Sequence, residues 1–385
     1  MTIQPVPFTL HVPDEDIADL RERLIRTRFP DQAPGEPWAY GTDLGYMRRL
    51  IDYWHTDFDW RTQEAELNAF PQFRVKLQDI SLHYLHVPGI GPDPMPLLLL
   101  HGWPGSVFEF LDIIPRLTDP GRFGGDARDA FTVITPSLPG YGLSFSPGQK
   151  RFGVSEMAGC VAALMKDVLG YGRFAAQGGD WGAAVASRLG YAHADKMIGV
   201  HVNLLMAVAR DPAAFPNPTP EEKRFLEDLA RWMDEETGYQ WIQGTRPQTL
   251  AYGLTDSPAG LAAWIIEKFR AWSDCGGDVE SAIKSDRMLG NIAFYWFTGA
   301  IGSSFWPYYA RRHEAPFMPP GQTIDVPAGY AEFPREIVKT PRSAAERVFT
   351  DLRRWSVMPK GGHFAALEQP DLLAEEVRAF FRDLR

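Results

Sequence analysis

The sequence predicts an α/β fold with a mostly parallel, doubly wound sheet, in which the alternation of strands and helices is interrupted once by a helical insertion. The first observation is a continuous apolar run, Pro96–Leu100, which is typical of a parallel strand buried on both faces. The second is that such runs alternate with helical periodicity up to about Met206. The third is that this alternation stops there and resumes only near Thr323.

These changes of pattern divide the chain into an extension, a core in two parts, and an insertion between the two parts. The chain has 385 residues, of which 45% are hydrophobic and 13% aromatic, so it can bury a large core. The predicted boundaries are 1–92 for the N-terminal extension, 93–206 and 321–385 for the two parts of the core, and 207–320 for the helical insertion.

The extension begins with helices and ends with a strand pair, which together form an N-terminal meander. Residues 14–26 have acids in the first turn and arginines later, as suits a helix dipole, and apolar residues on one face. Further helices are predicted from Leu44 to Trp54 and from Glu64 to Phe70. The alternating runs Phe73–Leu77 and Ile80–Val87 predict paired strands. We expect this extension to precede the parallel part of the sheet.

The first part of the core alternates strands with helices. After the strand Pro96–Leu100, the pattern predicts strands and helices in turn over the following segments: strand 131–135, helix 155–169, a short strand before Asp180, helix 183–192 and strand 197–202.

The insertion is helical and aromatic, with helices predicted over 221–235, 258–272 and 279–296. Strand character returns at Thr323–Val326 and at Trp355–Met358. A terminal helix is predicted over 370–384, with its apolar face turned inward.

Charge and composition exclude several classes of function. The formal net charge is -10 and the pI is about 5.4, so no basic excess is present to neutralise the phosphates of a nucleic acid or an anionic membrane. Cys160 and Cys275 are far apart in sequence and match no disulfide or zinc pattern. The segment Met1–Pro7 lacks a basic, then apolar leader, and no run approaches the ~20 apolar residues of a membrane span. We therefore expect a cytoplasmic protein without a bound metal.

The stretch Gly178–Gly182 has the small-x-nucleophile-x-small pattern of a nucleophile elbow, with Asp180 at its apex. Small residues allow the sharp turn from strand to helix. A carboxylate is already ionised near neutral pH and needs no base to activate it. Its attack on an electrophilic sp3 carbon, as in an epoxide or an alkyl halide, would leave an ester on the enzyme. The alternative is an ordinary turn in which Asp180 caps the next helix.

A histidine is expected in a late loop, after the last strand and before the terminal helix. His363 occupies that place, whereas His193, His201 and His313 fit it less well. An acid should hold its far nitrogen. Spacing alone leaves four candidates for this acid open, which are Asp325, Glu332, Glu336 and Asp351. Glu332 and Glu336 are favoured because they closely follow the predicted strand 323–326. Asp351 has arginines on both sides, which favours a surface ion pair.

Two backbone N–H groups are expected to form an oxyanion hole, one after the nucleophile and one after an earlier strand. These belong to Trp181 and Trp103, whose side chains would line the pocket or simply pack in the core. Opening an epoxide also requires a donor to the ring oxygen, and tyrosine, with a reference pKa of ~10, stays protonated for that role. The insertion offers tyrosines at 239, 252, 295, 308 and 309, and spacing does not choose among them.

Over nearly its whole length the chain resembles the microsomal-type epoxide hydrolases, which have an α/β-hydrolase fold. Phe8–Trp60 is similar to the N-terminal region of that family. The other motifs that carry the resemblance are His101–Gly105, Gly178–Gly182, Gly238–Gln243, Asp256–Ala262, Ser303–Tyr308, Val326–Gly329, Phe333–Glu336 and Gly361–Ala366.

The resemblance implies that Asp180 is the nucleophile, His363 the base and Glu336 its acid partner. It also implies that Tyr239 and Tyr308 donate to the epoxide oxygen, with Tyr309 next to Tyr308 as the alternative. The insertion 207–320 would then be a lid. The implied pocket is apolar, and its expected residues are Trp103, Trp181, Trp241, Trp306 and Phe364.

The implied reaction converts a small apolar epoxide and water to a vicinal diol without a cofactor, in keeping with detoxification of cis or aromatic epoxides. Membrane-bound relatives carry an anchor, which this chain is expected to lack, and a homo-oligomer stays open. A haloalkane dehalogenase would use the same Asp180 and His363 with indole donors to the halide. A ligand-binding homologue without turnover is the third alternative.

Overall fold

The strands form one mixed sheet that runs through the whole molecule. The computed structural model describes residues 4–385, and the nine strands of this range lie in the order β1-β2-β3-β5-β4-β6-β7-β8-β9. Their bounds are Val6–Phe8 (β1), Gln72–Leu77 (β2), Ile80–Val87 (β3), Met95–Leu100 (β4), Phe131–Pro136 (β5), Phe174–Gly178 (β6), Met197–Val202 (β7), Ala328–Glu332 (β8) and Leu352–Val357 (β9).

The sheet is antiparallel at one edge and parallel elsewhere. Strands β1, β2 and β3 pair antiparallel, and β3 joins the core through an antiparallel pairing with β5. From β5 to β9 every pairing is parallel. The predicted strand pair of the extension is confirmed, as is the mostly parallel sheet. Residues 1–3 of the predicted extension lie outside the described range.

Helices cover both faces of the sheet, because its central strands are apolar on both sides. The side chains of Leu97–Leu100 in β4 are fully buried. The helices are Asp14–Ile25 (α1), Leu44–Thr56 (α2), Trp60–Asn68 (α3), Ile113–Thr118 (α4), Val154–Ala163 (α5), Asp180–Ala192 (α6), Pro220–Glu235 (α7), Gly238–Thr245 (α8), Pro247–Asp256 (α9), Pro258–Trp272 (α10), Ser285–Thr298 (α11), Ile301–Ser304 (α12), Trp306–His313 (α13), Arg342–Ala345 (α14), Ala365–Glu368 (α15) and Pro370–Phe381 (α16).

Seven of these helices, α7 to α13, lie between β7 and β8 and form the helical insertion. The helix predicted over 279–296 is wrong in its first part, where a short 3-10 turn at Val279–Ser281 precedes α11. The short helices α8, α9, α12 and α13 were not predicted as helices, since each is too short to show a full periodic pattern. Within residues 4–385, no helix has both the length and the apolar character needed to cross a bilayer.

The strand predicted at Thr323–Val326 is wrong, and β8 begins five residues later in the chain. Ile324 forms only an isolated bridge with Phe349. The residues of β8 are mostly small and have low β-propensity, which concealed the strand in the sequence. Their small size has a packing reason, because a Cβ added to Gly329 would lie 2.7 Å from the ring of Phe380 on α16.

Candidate active site

The turn between β6 and α6 places Asp180 at the carboxyl edge of the sheet. A Cβ on Gly178 would lie 2.4 Å from the backbone of Gly182, and one on Gly182 would lie 2.1 Å from the carbonyl oxygen of Leu100. Asp180 itself has a φ of 45°, in the left-handed region that non-glycine residues rarely adopt. The strand, the turn and the helix therefore approach each other as closely as a nucleophile elbow requires.

The Asp180 carboxylate points toward the neighbouring loop and not along its own helix. Its Oδ1 accepts a hydrogen bond of 2.7 Å from the backbone N–H of Trp103. A Cβ on Gly102 would lie 2.1 Å from the same oxygen, so this position requires glycine. The N-cap of α6 is Gly179, and α6 has no side-chain cap. The alternative in which Asp180 caps this helix is therefore wrong.

His363 lies between Asp180 and Glu336. Its Nε2 is 3.5 Å from Oδ2 of Asp180, and its Nδ1 is 2.6 Å from Oε1 of Glu336. The side chains of His363 and Glu336 are almost completely buried, and that of Asp180 is 15% exposed. This order of groups is the arrangement in which an acid orients a histidine toward a nucleophile.

Main-chain hydrogen bonds fix the two loops that carry the histidine and the acid. The N–H of Arg335 donates to the carbonyl of Gly361, and the N–H of His363 donates to the carbonyl of Trp272. Glu336 also accepts a bond of 2.8 Å from the N–H of Ile337. The separation of His363 and Glu336 therefore depends on the backbone, and not on the two side chains alone.

The other acids considered from the sequence lie elsewhere. Asp351 forms an ion pair of 2.8 Å with Arg353 at the surface, as predicted. Asp325 accepts a hydrogen bond of 2.7 Å from Thr350, and Glu332 is the last residue of β8. Of the four candidates, the structure brings only Glu336 to His363.

The electrostatics of the site keep the imidazole protonated while both acids are ionised. Burial by itself lowers the pKa of His363, but the negative charges of Glu336 and Asp180 and the hydrogen bonds to them outweigh it and raise the pKa well above its ordinary value. A change in the charge of Asp180 would therefore change the proton affinity of His363.

Two tyrosines of the insertion pack against the two predicted oxyanion tryptophans. The ring of Tyr239 on α8 stacks on Trp103 with centroids 5.3 Å apart, and the ring of Tyr308 on α13 meets Trp181 edge-on at 4.9 Å. The two tyrosine rings are 5.7 Å apart. Tyr309 lies outside this group, because it stacks on His313 and Trp306.

Both tyrosines are held in the protonated form. Burial raises the pKa of Tyr239 far above its ordinary value, and the negative charge of Asp180 adds to the effect. Burial also raises the pKa of Tyr308, with further contributions from Tyr239 and Asp180. Each hydroxyl can therefore act as a hydrogen-bond donor to an oxygen near Asp180.

The remaining predicted pocket residues fall into two groups. Phe364 is buried and meets the ring of His363 edge-on at 5.0 Å. Trp241 is 50% exposed and lies beneath the guanidinium of Arg312, 4.2 Å from it. Trp306 packs on Tyr309, and the structure brings neither of these two tryptophans to the cavity around Asp180.

A small cavity beside the nucleophile contains a carboxyl group that the sequence interpretation missed. The cavity has a volume of about 20 Å³, enough for about one water molecule, and its polar wall includes Glu109, Gln177, Asp180, Asn203 and His363. Burial raises the pKa of Glu109 to about 8. The signal in the sequence was an acid within the otherwise apolar Val107–Phe110. Trp272, which packs between Tyr239 and His363, was also missed.

Comparisons with known proteins point to one family. The family described as Epoxide hydrolase N terminus matches residues 5–110, and the alpha/beta hydrolase fold family matches residues 95–238. Epoxide hydrolase 1 of Oryctolagus cuniculus is 36% identical, with 97% of this chain and 88% of the relative covered. Two solved structures also match the fold over the full chain. They are juvenile hormone epoxide hydrolase of Bombyx mori (TM-score 0.84, 30% identity, 100% of this chain and 94% of that one) and Aspergillus niger epoxide hydrolase (TM-score 0.84, 30% identity, 100% and 97%).

The resemblance inferred from the motifs is thereby confirmed, and so is the α/β-hydrolase fold. The sheet is parallel from β5 to β9, and an aspartate lies at the elbow. The relatives match over almost their whole length, so all three findings assign the chain to the same family. The chain belongs to the epoxide hydrolase family.

Proposed function

We propose that this protein hydrolyses an epoxide to a vicinal diol through a covalent ester on Asp180. The observation that carries the proposal is the position of the Asp180 carboxylate, which lies 3.5 Å from the imidazole of His363 and next to a pair of buried tyrosines. A nucleophile, a base and ring-oxygen donors are the groups that a two-step epoxide opening requires.

In the first step Asp180 attacks a ring carbon of the epoxide from the side opposite the oxygen. The C–O bond breaks, and the oxygen takes a proton from a tyrosine hydroxyl. Tyr239 and Tyr308 suit this role because both remain protonated, while an alkoxide is far more basic than a phenol. The product of the step is an ester between Asp180 and the opened substrate.

In the second step water attacks the carbonyl carbon of that ester. Esterification removes the negative charge of Asp180, which is one of the charges that raise the pKa of His363. The imidazolium can then return its proton to the tyrosinate left by the first step, and the neutral imidazole takes a proton from the attacking water, with Glu336 stabilising the imidazolium that re-forms. Collapse of the tetrahedral intermediate breaks the ester C–O bond, the departing diol oxygen takes the hydroxyl proton of the intermediate, and the Asp180 carboxylate is restored beside the protonated imidazole. The N–H of Trp103, already bonded to Oδ1, and the N–H of Trp181 in the first turn of α6 would hold the oxyanion.

Helices α8 and α13 carry the tyrosines over the nucleophile, which supports a lid function for the insertion. Action on an apolar epoxide with water as the only other reactant fits the aromatic wall. Cytoplasmic location, detoxification of cis or aromatic epoxides, and the oligomeric state stay predictions from the sequence.

A haloalkane dehalogenase remains the second candidate because of one observation. Among the described residues, the indole Nε1 atoms of Trp103 and Trp181 are buried and have no hydrogen-bond partner. Free indole donors beside the nucleophile suit a departing halide, whereas the tyrosine pair suits an epoxide oxygen. Chloride release from an alkyl chloride, compared with diol release from styrene oxide, distinguishes the two activities.

A single turnover in ¹⁸O-labelled water tests the covalent step. Water attacks the enzyme ester, so the label should appear first in the Asp180 carboxylate and be found by mass spectrometry of the peptide that contains it. Label in the diol alone, with unlabelled Asp180, would contradict the mechanism. In His363→Gln the ester should accumulate and add the mass of the substrate to the protein.

A further inference from the structure

A second and much larger cavity lies next to the elbow. It has a volume of about 850 Å³, within the range of small-molecule sites. Trp181 contributes to its wall, and the preceding residue, Asp180, contributes to the wall of the small cavity. Other parts of the wall come from the segment after β7 and from α13, which also carries Tyr308. The elbow therefore contributes successive residues to the walls of the two cavities.

The wall of this cavity, which we call the arginine cavity, has an excess of positive charge. It includes four arginines and two glutamates: Arg188, Arg210, Arg311, Arg347, Glu156 and Glu314. Two of these charges are already neutralised, because Arg347 pairs with Glu222 and Glu156 with Lys150. Three arginines then face one glutamate, in a chain whose formal net charge is -10.

Arg210 and Arg311 are the arginines closest to the reaction machinery. Arg311 follows Tyr308 by three residues on α13, so the two side chains lie on the same face of that helix. The negative charge of Asp180 acts on both arginines, and so does Tyr239. Within residues 4–385, neither guanidinium has a carboxylate within 4.0 Å; the hydrogen bond that Arg210 makes goes to Sδ of Met206, at 3.4 Å.

The two guanidinium groups repel each other across this wall. Burial lowers the pKa of Arg210 to about 10, and repulsion by Arg311 acts in the same direction. Arg210 is half-buried and Arg311 is exposed, so both guanidinium groups are accessible to an anion that enters the cavity. A carboxylate would match the planar, forked donors of one or both guanidinium groups. The rest of the wall, which includes Val208, Phe215 and Phe317, suits a hydrocarbon or aryl linker.

We infer that the substrate is an epoxide that carries a carboxylate, with the epoxide at Asp180 and the carboxylate bound by Arg210 and Arg311 in the arginine cavity. This inference rests on the proposed function, since it specifies the class of epoxide that the site accepts. It differs from the sequence expectation of a small apolar epoxide.

The first test compares two substrates that differ only in this charge, 4-oxiranylbenzoate and its methyl ester. For the wild-type protein we expect kcat/KM to be about tenfold or more higher for the acid, the size of effect that a hydrogen-bonded charge supports. In the double variant Arg210→Gln/Arg311→Gln the ratio of the two kcat/KM values should fall to about one or below.

Arg312 provides the matched control, since it is the next residue on α13 but lies over Trp241, outside the cavity wall. Arg312→Gln should keep the wild-type ratio. A wild-type preference for the ester, or an unchanged ratio in the double variant, would overturn the inference.

The second test does not depend on turnover. Binding of 4-ethylbenzoate and of 4-ethylbenzamide, neither of which has an epoxide, is measured by calorimetry at low and high salt. The benzoate should bind more tightly, its advantage should shrink with salt, and the double variant should lose it. Equal binding of both ligands refutes the anion site. If benzoate binds as expected while labelled water never enters Asp180, the proposed function fails and the anion site stands.

Discussion

Tyr239 and Tyr308 are equivalent in chemistry but not in surroundings, and this difference can be tested residue by residue. Tyr239 accepts a hydrogen bond of 2.9 Å from the amide of Gln240, which leaves its own proton available for a substrate oxygen. Tyr309, adjacent to Tyr308 in sequence, packs on His313 outside the group. The proposed role therefore depends on the position of each hydroxyl relative to Asp180 and not on the abundance of tyrosine in the insertion.

We predict that Tyr239→Phe lowers the rate of ester formation from styrene oxide by about 10²-fold to 10⁴-fold, the range for loss of a general acid. Tyr309→Phe serves as the control and should keep at least half of the wild-type rate. The measurement is single-turnover ester formation by rapid quench. Ester formation at an undiminished rate in Tyr239→Phe would remove this residue from the reaction and favour the dehalogenase alternative.

Glu109 links the pH dependence of the reaction to the small cavity. Because its pKa is raised to about 8, its carboxyl is neutral at pH 7 and becomes negative as the pH rises through that value. A new negative charge beside Asp180 opposes the charge that develops on the ester oxygen during hydrolysis. Ionisation of Glu109 should therefore slow the second step.

We predict that Glu109→Gln, which keeps the neutral form at every pH, matches the wild-type kcat below about pH 7 and exceeds it above about pH 8. The ratio of variant to wild-type kcat, measured from pH 6 to 9.5, isolates this group from the titration of His363. A ratio that stays constant over the whole range would show that Glu109 does not titrate there.

At the scale of elements, the elbow depends on how closely α6 can approach β4. Gly182 lies within the helix, where alanine is intrinsically preferred, yet a Cβ there would lie 2.1 Å from a carbonyl oxygen of β4. A backbone atom cannot move away as a flexible side chain can. Packing, and not helix propensity, therefore determines the residue at this position.

We predict that Gly182→Ala lowers the free energy of unfolding by about 1–3 kcal/mol, the usual cost of overpacking, and also displaces Asp180. Gly253→Ala on α9, where no atom lies within 4 Å of the new Cβ, is the control and should raise it by up to about 1 kcal/mol. Denaturant unfolding gives both values. Equal stability of the two variants would mean that the elbow can relax.

At the scale of the whole molecule, Glu222 connects the helical insertion to the second part of the core. Its side chain is fully buried at the start of α7, where Oε1 accepts a bond of 3.0 Å from Ser343 and pairs with Arg347. The hydrogen bond from the N–H of Thr219 lowers the pKa of Glu222, and Ser343 and Arg347 act in the same direction. Its ionised form therefore stabilises the folded state.

The direction of the pKa shift determines how this contribution changes with pH. It is fully present above the unfolded pKa of about 4.3 and is lost as the pH falls through the lower folded value. We predict that Glu222→Gln lowers the free energy of unfolding at pH 7 by about 1–2 kcal/mol and speeds hydrogen exchange in α7. Its exposed neighbour Glu221→Gln should change neither. If Glu222→Gln is still less stable than the wild-type protein by the same amount at pH 3, the loss of stability does not come from the negative charge of Glu222.

The sequence by itself determined the alternation of apolar runs and helices, the place of Asp180 at an elbow and the place of His363 in a late loop. These are local patterns, and each depends on residues close together in the chain. The strand β8 was not predicted because its residues are small. They are small because they pack against α16, which lies far away in sequence. The sequence also left the choice of acid open, as no short-range rule relates position 336 to position 363.

Only the tertiary structure decided which side chains meet. It placed Glu336 at 2.6 Å from His363, put Tyr308 and not Tyr309 beside Trp181, and left Trp241 half exposed. It also brought Arg210 and Arg311 to one cavity from segments about a hundred residues apart. Contacts of this kind depend on how the insertion packs on the sheet, and that packing is a property of the folded chain that no short stretch of the sequence encodes.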